Sequence, residues 1–168
     1  QMTSVRGGEI SLILQDPMQA LNPVFSIENQ VGEAIRIHQG LKGKALWEKV
    51  VDSLRKVRIP APETRAKDYP HQLSGGMRQR VVGAIGISSA PAVIIADEPT
   101  TSLDVTIQAA YLRLLRQIQH EEGVAIIFIT HDFGIVAKMC DRVAVMYAGR
   151  IVEVADVRTI FNNPMHEY

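Results

Sequence analysis

Two uninterrupted apolar stretches, each followed at once by polar residues, most constrain the fold of this chain. They are residues 92–96 (AVIIA) and residues 124–129 (VAIIFI). Continuous apolar strands of this kind are typical of a parallel sheet that is covered on both faces. Between them, residues 105–120 carry apolar side chains at helical spacing, and Gly123 ends that predicted helix. The pattern predicts an α/β fold built from strand–helix–strand connections.

A third apolar run, residues 9–14 (EISLIL), predicts another buried strand. In open parallel sheets, ligands bind at the carboxyl ends of the strands. The polar residues that follow the three predicted strands are therefore candidates for one shared site: Gln15, Asp97, Glu98 and His131.

The middle third of the chain has a helical pattern. Apolar residues recur every three or four positions from Ile27 to about Arg58, whereas residues 59–70 contain three prolines and predict a connector. Ser74 is placed to cap a further helix. Near the end of the chain, residues 142–146 and 150–154 predict two strands joined by a hairpin turn.

Composition narrows the class of protein. Lysine plus arginine and aspartate plus glutamate number 18 each, so nothing indicates a nucleic-acid partner bound through bulk charge. A single cysteine, Cys140, excludes an internal disulfide framework and favours a reducing compartment. No apolar run approaches the roughly 18 to 20 residues that span a bilayer, and the first residues contain no signal-peptide core. We therefore expect a cytoplasmic protein with no direct membrane span.

Residues 73–80, LSGGMRQR, place two glycines after a serine at the start of a predicted helix. Such a start offers unpaired N–H groups and a partial positive charge, and glycines let that backbone approach an anion closely. The Ser74 hydroxyl adds a donor, so phosphate is the natural ligand. A capped helix that binds nothing is the alternative for a bare SGG.

The acidic pair Asp97 and Glu98 also has two interpretations. One carboxylate can hold Mg²⁺ while the other orients or deprotonates a water; alternatively, one acid caps a helix and the other lies at the surface. His131 on its own is more typical of a hydrogen-bonded residue at a strand end. The five histidines are scattered without the spacing of metal ligands.

Together these segments resemble the ABC family of ATPases. LSGGMRQR resembles the signature motif, and AVIIADEPT resembles the Walker B motif with the catalytic glutamate. TSLD resembles the D-loop, ITHD the switch-histidine segment and LQDP the Q-loop. The five motifs occur in the family's order and cover nearly the whole chain.

Within that family, QDPMQALNP, TTSLDVTIQA and MCDRVAVMYAGRIVE resemble the ATPase subunits of dipeptide and oligopeptide importers, whose relatives also import nickel. Ala20 departs from the pattern, because many such subunits have serine there. The resemblance implies a P-loop NTPase-type parallel-sheet core, incomplete at its N-terminus, with an inserted helical subdomain. Residues 1–24 and 88–168 would form the partial core, and residues 25–87 the helical subdomain.

The resemblance also implies a role for each site residue, with ATP and Mg²⁺ as the ligands. Asp97 would hold Mg²⁺ through water together with Gln15, which would also sense the γ-phosphate. Glu98 would be the general base, and His131 would contact the γ-phosphate. The remaining residues would act across a dimer: Ser74, Gly75 and Gly76 would bind the γ-phosphate of ATP held by the opposite subunit, and Asp104 would cross the interface. Arg78 and Gln79 are assigned no chemistry and are interpreted as residues of packing and interface contacts.

The P-loop pattern G-x-x-x-x-G-K-[ST] is absent from these 168 residues. The Gly43–Lys44 step is a decoy, because His38 stands where the first glycine is required and Ala45 where Ser or Thr is required. We therefore expect the second half of an ATPase, truncated before the P-loop and inactive alone.

The resemblance implies as partners a second ABC ATPase subunit, in a homo- or heterodimer, and membrane permease subunits contacted through the helical subdomain. The location implied is the cytoplasmic face of the cell membrane, peripherally attached. Three alternatives stay open: a non-catalytic module that supplies its signature motif in trans, a nickel importer, and a non-transport ABC ATPase.

Overall fold

Three parallel strands form a sheet at the positions that the apolar stretches predict. The computed structural model describes residues 2–101 and 103–167. Strands β1 (Ile10–Ile13), β2 (Val93–Asp97) and β3 (Ala125–Ile129) lie side by side in that order. Ile13 pairs with Ala96, and Asp97 pairs with Ile129. The predicted parallel α/β architecture is confirmed, and the register brings the carboxyl ends of the three strands to one edge of the sheet.

The two faces of this sheet differ in burial. On one face Ile13, Ile94 and Ala96 are fully buried. On the other, Leu12, Ile127 and Ile129 are 52%, 53% and 49% exposed. The expectation of a sheet covered on both faces is therefore wrong for the described residues: burial alternates along each strand, as it does where one face packs on a core.

Seven α-helices and one 3₁₀ turn accompany the sheet in the first of two compact units, Gln1–Ile129, as far as the described residues extend. They are α1 (Met2–Val5), α2 (Pro17–Ala20), α3 (Ile27–Gln39), α4 (Gly43–Lys56), α5 (Pro62–Arg65), a 3₁₀ turn (Pro70–Gln72), α6 (Gly75–Ser88) and α7 (Val105–Glu122). The continuous helical pattern from Ile27 to Arg58 is divided at Gly40, which has a left-handed φ of 67°. The proline-rich connector contains the short helix α5.

Helix α6 is the centre of the helical packing. It contacts α2, α3, α4 and strand β1. The Ser11 hydroxyl of β1 donates to the Gly86 carbonyl at 2.7 Å. A Cβ at Gly86 would lie 3.2 Å from Ile13 Cγ1, so the absence of a side chain there allows helix and strand to approach closely. Helix α6 is thereby joined to the buried face of the sheet near its own C-terminal end.

The structure agrees that Gly43 and Lys44 are not part of a phosphate-binding loop. Gly43 is the first residue of α4. The Lys44 side chain is 89% exposed and lies 3.7 Å from Glu48 one turn along the same helix. An exposed i,i+4 ion pair of this kind is typical of a solvated helix surface.

The second unit, Thr130–Tyr168, contains α8 (Phe133–Met139), β4 (Arg142–Tyr147), β5 (Arg150–Asp156) and α9 (Val157–Asn162). Strands β4 and β5 pair antiparallel, as the hairpin pattern predicts. Ala148 and Gly149 have φ values of 48° and 76°. Two positive φ values in a two-residue loop are typical of a type I′ hairpin turn.

Candidate functional site

The Gln15 and Glu98 side chains meet at the carboxyl ends of β1 and β2. Gln15 lies two residues after β1 and Glu98 directly follows β2. The Gln15 Nε2 donates a hydrogen bond to the Glu98 Oε2 at 2.9 Å. The parallel register of β1 and β2 brings the two loops together, although 83 positions separate the residues in sequence. Two of the three residues predicted to be catalytic are therefore in direct contact.

The Glu98 backbone is held in an uncommon conformation. Its φ is 41°, in the left-handed region that residues with a side chain rarely adopt. The Glu98 N–H donates to the Ile129 carbonyl at the end of β3, at 2.9 Å. Strained residues persist where surrounding contacts fix them, and they are concentrated at functional sites. The last residue of β3 thus fixes the direction in which the Glu98 side chain leaves the sheet.

Thr101 is a site residue that the sequence analysis missed. Its Oγ1 donates to the Glu98 Oε2 at 3.0 Å, and its N–H donates to the Glu98 carbonyl at 3.2 Å. The preceding Thr100 is buried, and its Oγ1 accepts from the Gln108 Nε2 of α7 at 3.3 Å. The sequence feature that could have predicted this contact is the pair of threonines between Glu98 and Asp104. Threonine hydroxyls bond readily to nearby groups in turns.

Ser74 begins helix α6 as predicted. Its Oγ accepts a hydrogen bond from the Met77 N–H at 3.3 Å. The two glycines that follow differ in their surroundings. Among the described residues, no atom lies within 4 Å of a Cβ placed at Gly75, whereas a Cβ at Gly76 would lie 3.0 Å from Ile107 Cγ2. A side chain at position 76 would therefore press on Ile107, whereas the space beside Gly75 is open to an approaching ligand.

Asp104 caps helix α7. Its Oδ1 accepts from the N–H groups of Thr106 at 3.1 Å and of Ile107 at 3.0 Å. This arrangement satisfies two of the unpaired donors at the helix start. The carboxylate of the predicted D-loop residue is therefore oriented by its own helix.

Asp97, the last residue of β2, is partly exposed at the strand ends where Gln15 and Glu98 meet. Its carboxylate and the amide oxygen of Gln15 are oxygen ligands, the type that Mg²⁺ prefers. No group of three or more His, Cys, Asp or Glu residues suited to a metal occurs in residues 2–101 and 103–167. Such a donor set fits a largely hydrated Mg²⁺ that arrives with a nucleotide, since Mg²⁺ is commonly bound by one or two carboxylates plus substrate phosphates.

His131 lies in the second unit, in the turn before α8, and it is exposed. Its neighbour Asp132 caps α8 by accepting from the Gly134 N–H at 2.7 Å and from the Ile135 N–H at 3.3 Å. The Thr130 hydroxyl accepts from the Asp132 N–H at 3.1 Å. These bonds define the conformation of the turn that carries His131.

Among the helices of the described residues, none is both long enough and apolar enough to cross a bilayer.

Comparison with known sequences finds relatives along the whole chain. Residues 1–101 match the family profile described as ABC transporter. The chain is 51% identical over 168 residues to the dipeptide transport ATP-binding protein DppD of Bacillus subtilis and to the probable peptide ABC transporter ATP-binding protein y4tR of Sinorhizobium fredii. It is 52% identical over 168 residues to the glutathione import ATP-binding protein GsiA of Salmonella typhi.

All of this chain aligns with each of these relatives, but it spans only part of them. It covers 50% of DppD and of y4tR, and 27% of GsiA. The chain therefore has about half the length of the peptide-transport relatives it matches.

Solved structures show the same fold. The ATP-binding cassette MJ0796, in a dimeric post-hydrolysis state bound to ADP and phosphate, superposes with a TM-score of 0.79 at 26% identity, covering 94% of this chain and 66% of that one. CbiO1 from Clostridium perfringens, part of the transporter complex CbiONQ, superposes with a TM-score of 0.80 at 31% identity, covering 93% and 60%.

Proposed function

Because this chain belongs to the ABC transporter family, we propose that it contributes to the ATP-binding and ATP-hydrolysing subunit of a peptide importer. The observation that carries this proposal is the contact between Gln15 and Glu98 at adjacent strand ends. It places an amide and a carboxylate where a parallel sheet binds its ligands. The names of the relatives, which refer to peptides, dipeptides and glutathione, support a small peptide as the imported solute.

In this proposal Glu98 accepts the proton of the water that attacks the γ-phosphate of ATP. The hydroxyl of Thr101 and the amide of Gln15 both donate to its Oε2. Both hydrogen bonds restrict the orientation of the carboxylate, and a general base has to be positioned towards the water it activates. His131 contacts the γ-phosphate, and Gln15 senses it.

Asp97 and Gln15 would hold Mg²⁺ through water. Bound there, the ion would neutralise charge on the phosphates. The chain's own contribution is to supply oxygen ligands at the ends of two paired strands.

The signature segment acts on a second subunit. Ser74, Gly75 and Gly76 would bind the γ-phosphate of ATP held by that subunit, and Asp104 would lie at the dimer interface. The open space beside Gly75 supports this role, because backbone N–H groups at a helix start bind phosphate best where no side chain intervenes.

The remaining partner is a membrane permease. Residues 25–87 would form the helical subdomain that contacts it, and residues 1–24 and 88–168 the ATPase core. Helices α3, α4 and α6 pack on one another, which supports a helical unit that moves as one piece. The subunit would then lie on the cytoplasmic face of the membrane.

A chimaera with DppD tests the proposal. In it, the 168 residues replace the aligned region of Bacillus subtilis DppD, and the rest of DppD is kept. We expect phosphate release from Mg-ATP and restored dipeptide uptake in cells that lack DppD. Glu98→Gln is the matched control, because it keeps size and hydrogen bonding but removes the base. It should slow hydrolysis by about 10²- to 10⁴-fold while ATP still binds; equal rates would refute the role of Glu98.

The 168 residues tested alone should behave differently, because they contain no P-loop. We expect no turnover above background and no ATP binding tighter than about 100 µM. Titration with a fluorescent ATP analogue and a phosphate-release assay measure both quantities.

A second candidate function is supported by the intact start of α6. The isolated chain would supply its signature segment in trans to an intact ATPase, and so change that partner's ATP affinity. Adding the chain to DppD, with Gly75→Ala as the control, tests this candidate. An unchanged ATP affinity of DppD would exclude it.

A further inference from the structure

Helices α6 and α7 approach each other through small residues on α6. A Cβ at Gly76 would lie 3.0 Å from Ile107 Cγ2, and a Cβ at Gly83 would lie 3.1 Å from the Tyr111 Oη. Gly76 and Gly83 are seven residues apart, two helical turns, so they share one face of α6. Ile107 and Tyr111 are four apart and share one face of α7. The two helices therefore contact each other at two points, which lie two turns apart on α6 and one turn apart on α7.

Gln79 lies on the same face of α6, between the two glycines. It is 0% exposed, and Tyr111 is 1% exposed. The amide nitrogen and oxygen of Gln79 and the hydroxyl of Tyr111 are buried, and within the described part of the chain none of these three atoms has a hydrogen-bond partner. A buried polar group without a partner is costly, so these two side chains gain most by pairing with each other at this seam between α6 and α7.

The pKa of Tyr111 agrees with this proximity. Burial raises the pKa of the hydroxyl, and the neighbouring Gln79 side chain acts in the opposite direction. Arg80, next to Gln79 on α6, lowers it further through its charge.

The seam between α6 and α7 joins the two segments that, in the proposed function, face the second subunit. Gly76 belongs to the helix start that Ser74 caps, and Ile107 donates its N–H to Asp104. A shift of α6 along α7 would therefore move Ser74 and Gly75 relative to Asp104. The position of α6 along α7 thus sets the distance between the signature segment and the D-loop residue Asp104.

We propose that Gln79 and Tyr111 form a buried polar lock that holds α6 at this position along α7, and that both are positioning residues for the signature segment. The role in ATP binding rests on the function proposed above. The lock itself is a property of α6 and α7, and it is testable without ATP.

A double-mutant cycle tests whether the two groups pair. Gln79→Leu and Tyr111→Phe each leave one buried polar partner unsatisfied, whereas the double variant removes both. We expect each single variant of the chain to lower the midpoint of thermal unfolding, and the double variant to recover most of that loss. Simple addition of the two losses would overturn the lock.

Hydrogen exchange separates positioning from general stability. In Gln79→Leu, amide exchange at Met77 and Arg78, the first hydrogen-bonded amides of α6, should rise on the order of tenfold, because the start of α6 loses its anchor. Leu114→Ala removes a buried side chain of α7 one turn beyond Tyr111 and is the matched destabilised control. If Leu114→Ala raises exchange at Met77 and Arg78 as much as Gln79→Leu does, the positioning role is wrong.

The DppD chimaera extends the test to function. Gln79→Leu should raise the KM for ATP by about tenfold with a smaller change in kcat, and Leu114→Ala should leave the KM within about twofold. An unchanged KM in Gln79→Leu would overturn the positioning of the signature segment. If the unsubstituted chimaera does not hydrolyse ATP, the proposed function fails, and the unfolding and exchange results still decide the lock.

Discussion

At the scale of single residues, the Glu98 side chain depends on its neighbours for its orientation. Its backbone has a φ of 41°, and its Oε2 accepts from Gln15 and Thr101. The Gln15 contact crosses between two strands, whereas the Thr101 contact is made within one turn. Thr101 can therefore orient the carboxylate when Gln15 turns towards another partner.

Replacing Thr101 tests that contribution. Thr101→Val keeps the shape of the side chain but removes the donor, and we expect kcat of the DppD chimaera to fall by about tenfold, since a hydrogen bond to a charged group is stronger than a neutral one. Thr101→Ser keeps the hydroxyl and should retain most of the activity. Equal losses in the two variants would indicate that the methyl group, and not the hydroxyl, matters.

The adjacent glycines of the signature segment should respond oppositely to alanine. Gly75→Ala should leave the chain as stable as before or raise the free energy of unfolding by up to about 1 kcal/mol, because alanine favours the helix and the space beside it is open. Gly76→Ala should lower stability through its contact with Ile107. Chemical denaturation measures both effects. Ile107→Ala combined with Gly76→Ala should recover part of the loss, and failure to recover it would exclude that contact as the cause.

At the scale of elements, the strands and the helix ends were predictable and the breaks within the helical middle were not. Three apolar runs indicated β1, β2 and β3, and Ser74 and Gly123 lie at the helix ends that the pattern predicts. The division after α3 depends on the left-handed conformation of Gly40, and glycine alone does not specify this conformation. The contact of Thr101 with Glu98 also escaped prediction, because a turn's side-chain bonds depend on its dihedral angles.

The N-cap of helix α9 leads to a prediction of how the stability of that helix depends on pH. The N–H and hydroxyl of Thr159 both donate to the Asp156 carboxylate and hold its pKa below the ordinary 3.8. A carboxyl group with a lowered folded pKa stabilises the fold above its unfolded pKa, and this stabilisation is lost as the pH falls through the folded value. We expect α9 to fray below about pH 4, seen as a change in the NMR amide shift of Thr159.

Asp156→Asn supplies the control for that titration. Asparagine caps helices about as well as aspartate but does not ionise in this range. The amide shift of Thr159 should then stay constant between about pH 2 and pH 5. The same titration in both proteins would exclude Asp156 as its source.

At the scale of the whole molecule, the exposed face of the sheet was not predictable from the sequence. Continuous apolar strands suggested cover on both faces, and the alternation of burial along β1 and β3 is visible only in the structure. The ends of the predicted strands were more informative about the site, since Gln15 and Glu98 were expected to share one site there and their side chains are in contact. Motif order alone does not give the distance between their side chains.

The exposed face should make the isolated chain associate with itself. Ile127 is 53% exposed on this face, whereas Ile94 is fully buried on the other. Ile127→Thr keeps a β-branched side chain and should reduce both concentration-dependent association in sedimentation and binding of an apolar dye. Ile94→Thr should instead lower the free energy of unfolding by about 2–4 kcal/mol. Unchanged association in Ile127→Thr would show that another surface is responsible.

The close contact of Gly86 with β1 makes helix α6 a lever with its pivot near one end. Gly75 and Gly86 are eleven residues apart in the helix, a distance of about 16 Å at 1.5 Å per residue. Tilting such a rod by only about 3–4° about Gly86 carries its far end roughly 1 Å, a displacement that can cost an enzyme about a hundredfold in rate. The angular tolerance of the signature segment therefore depends also on the packing at the opposite end of its helix, where Gly86 contacts β1.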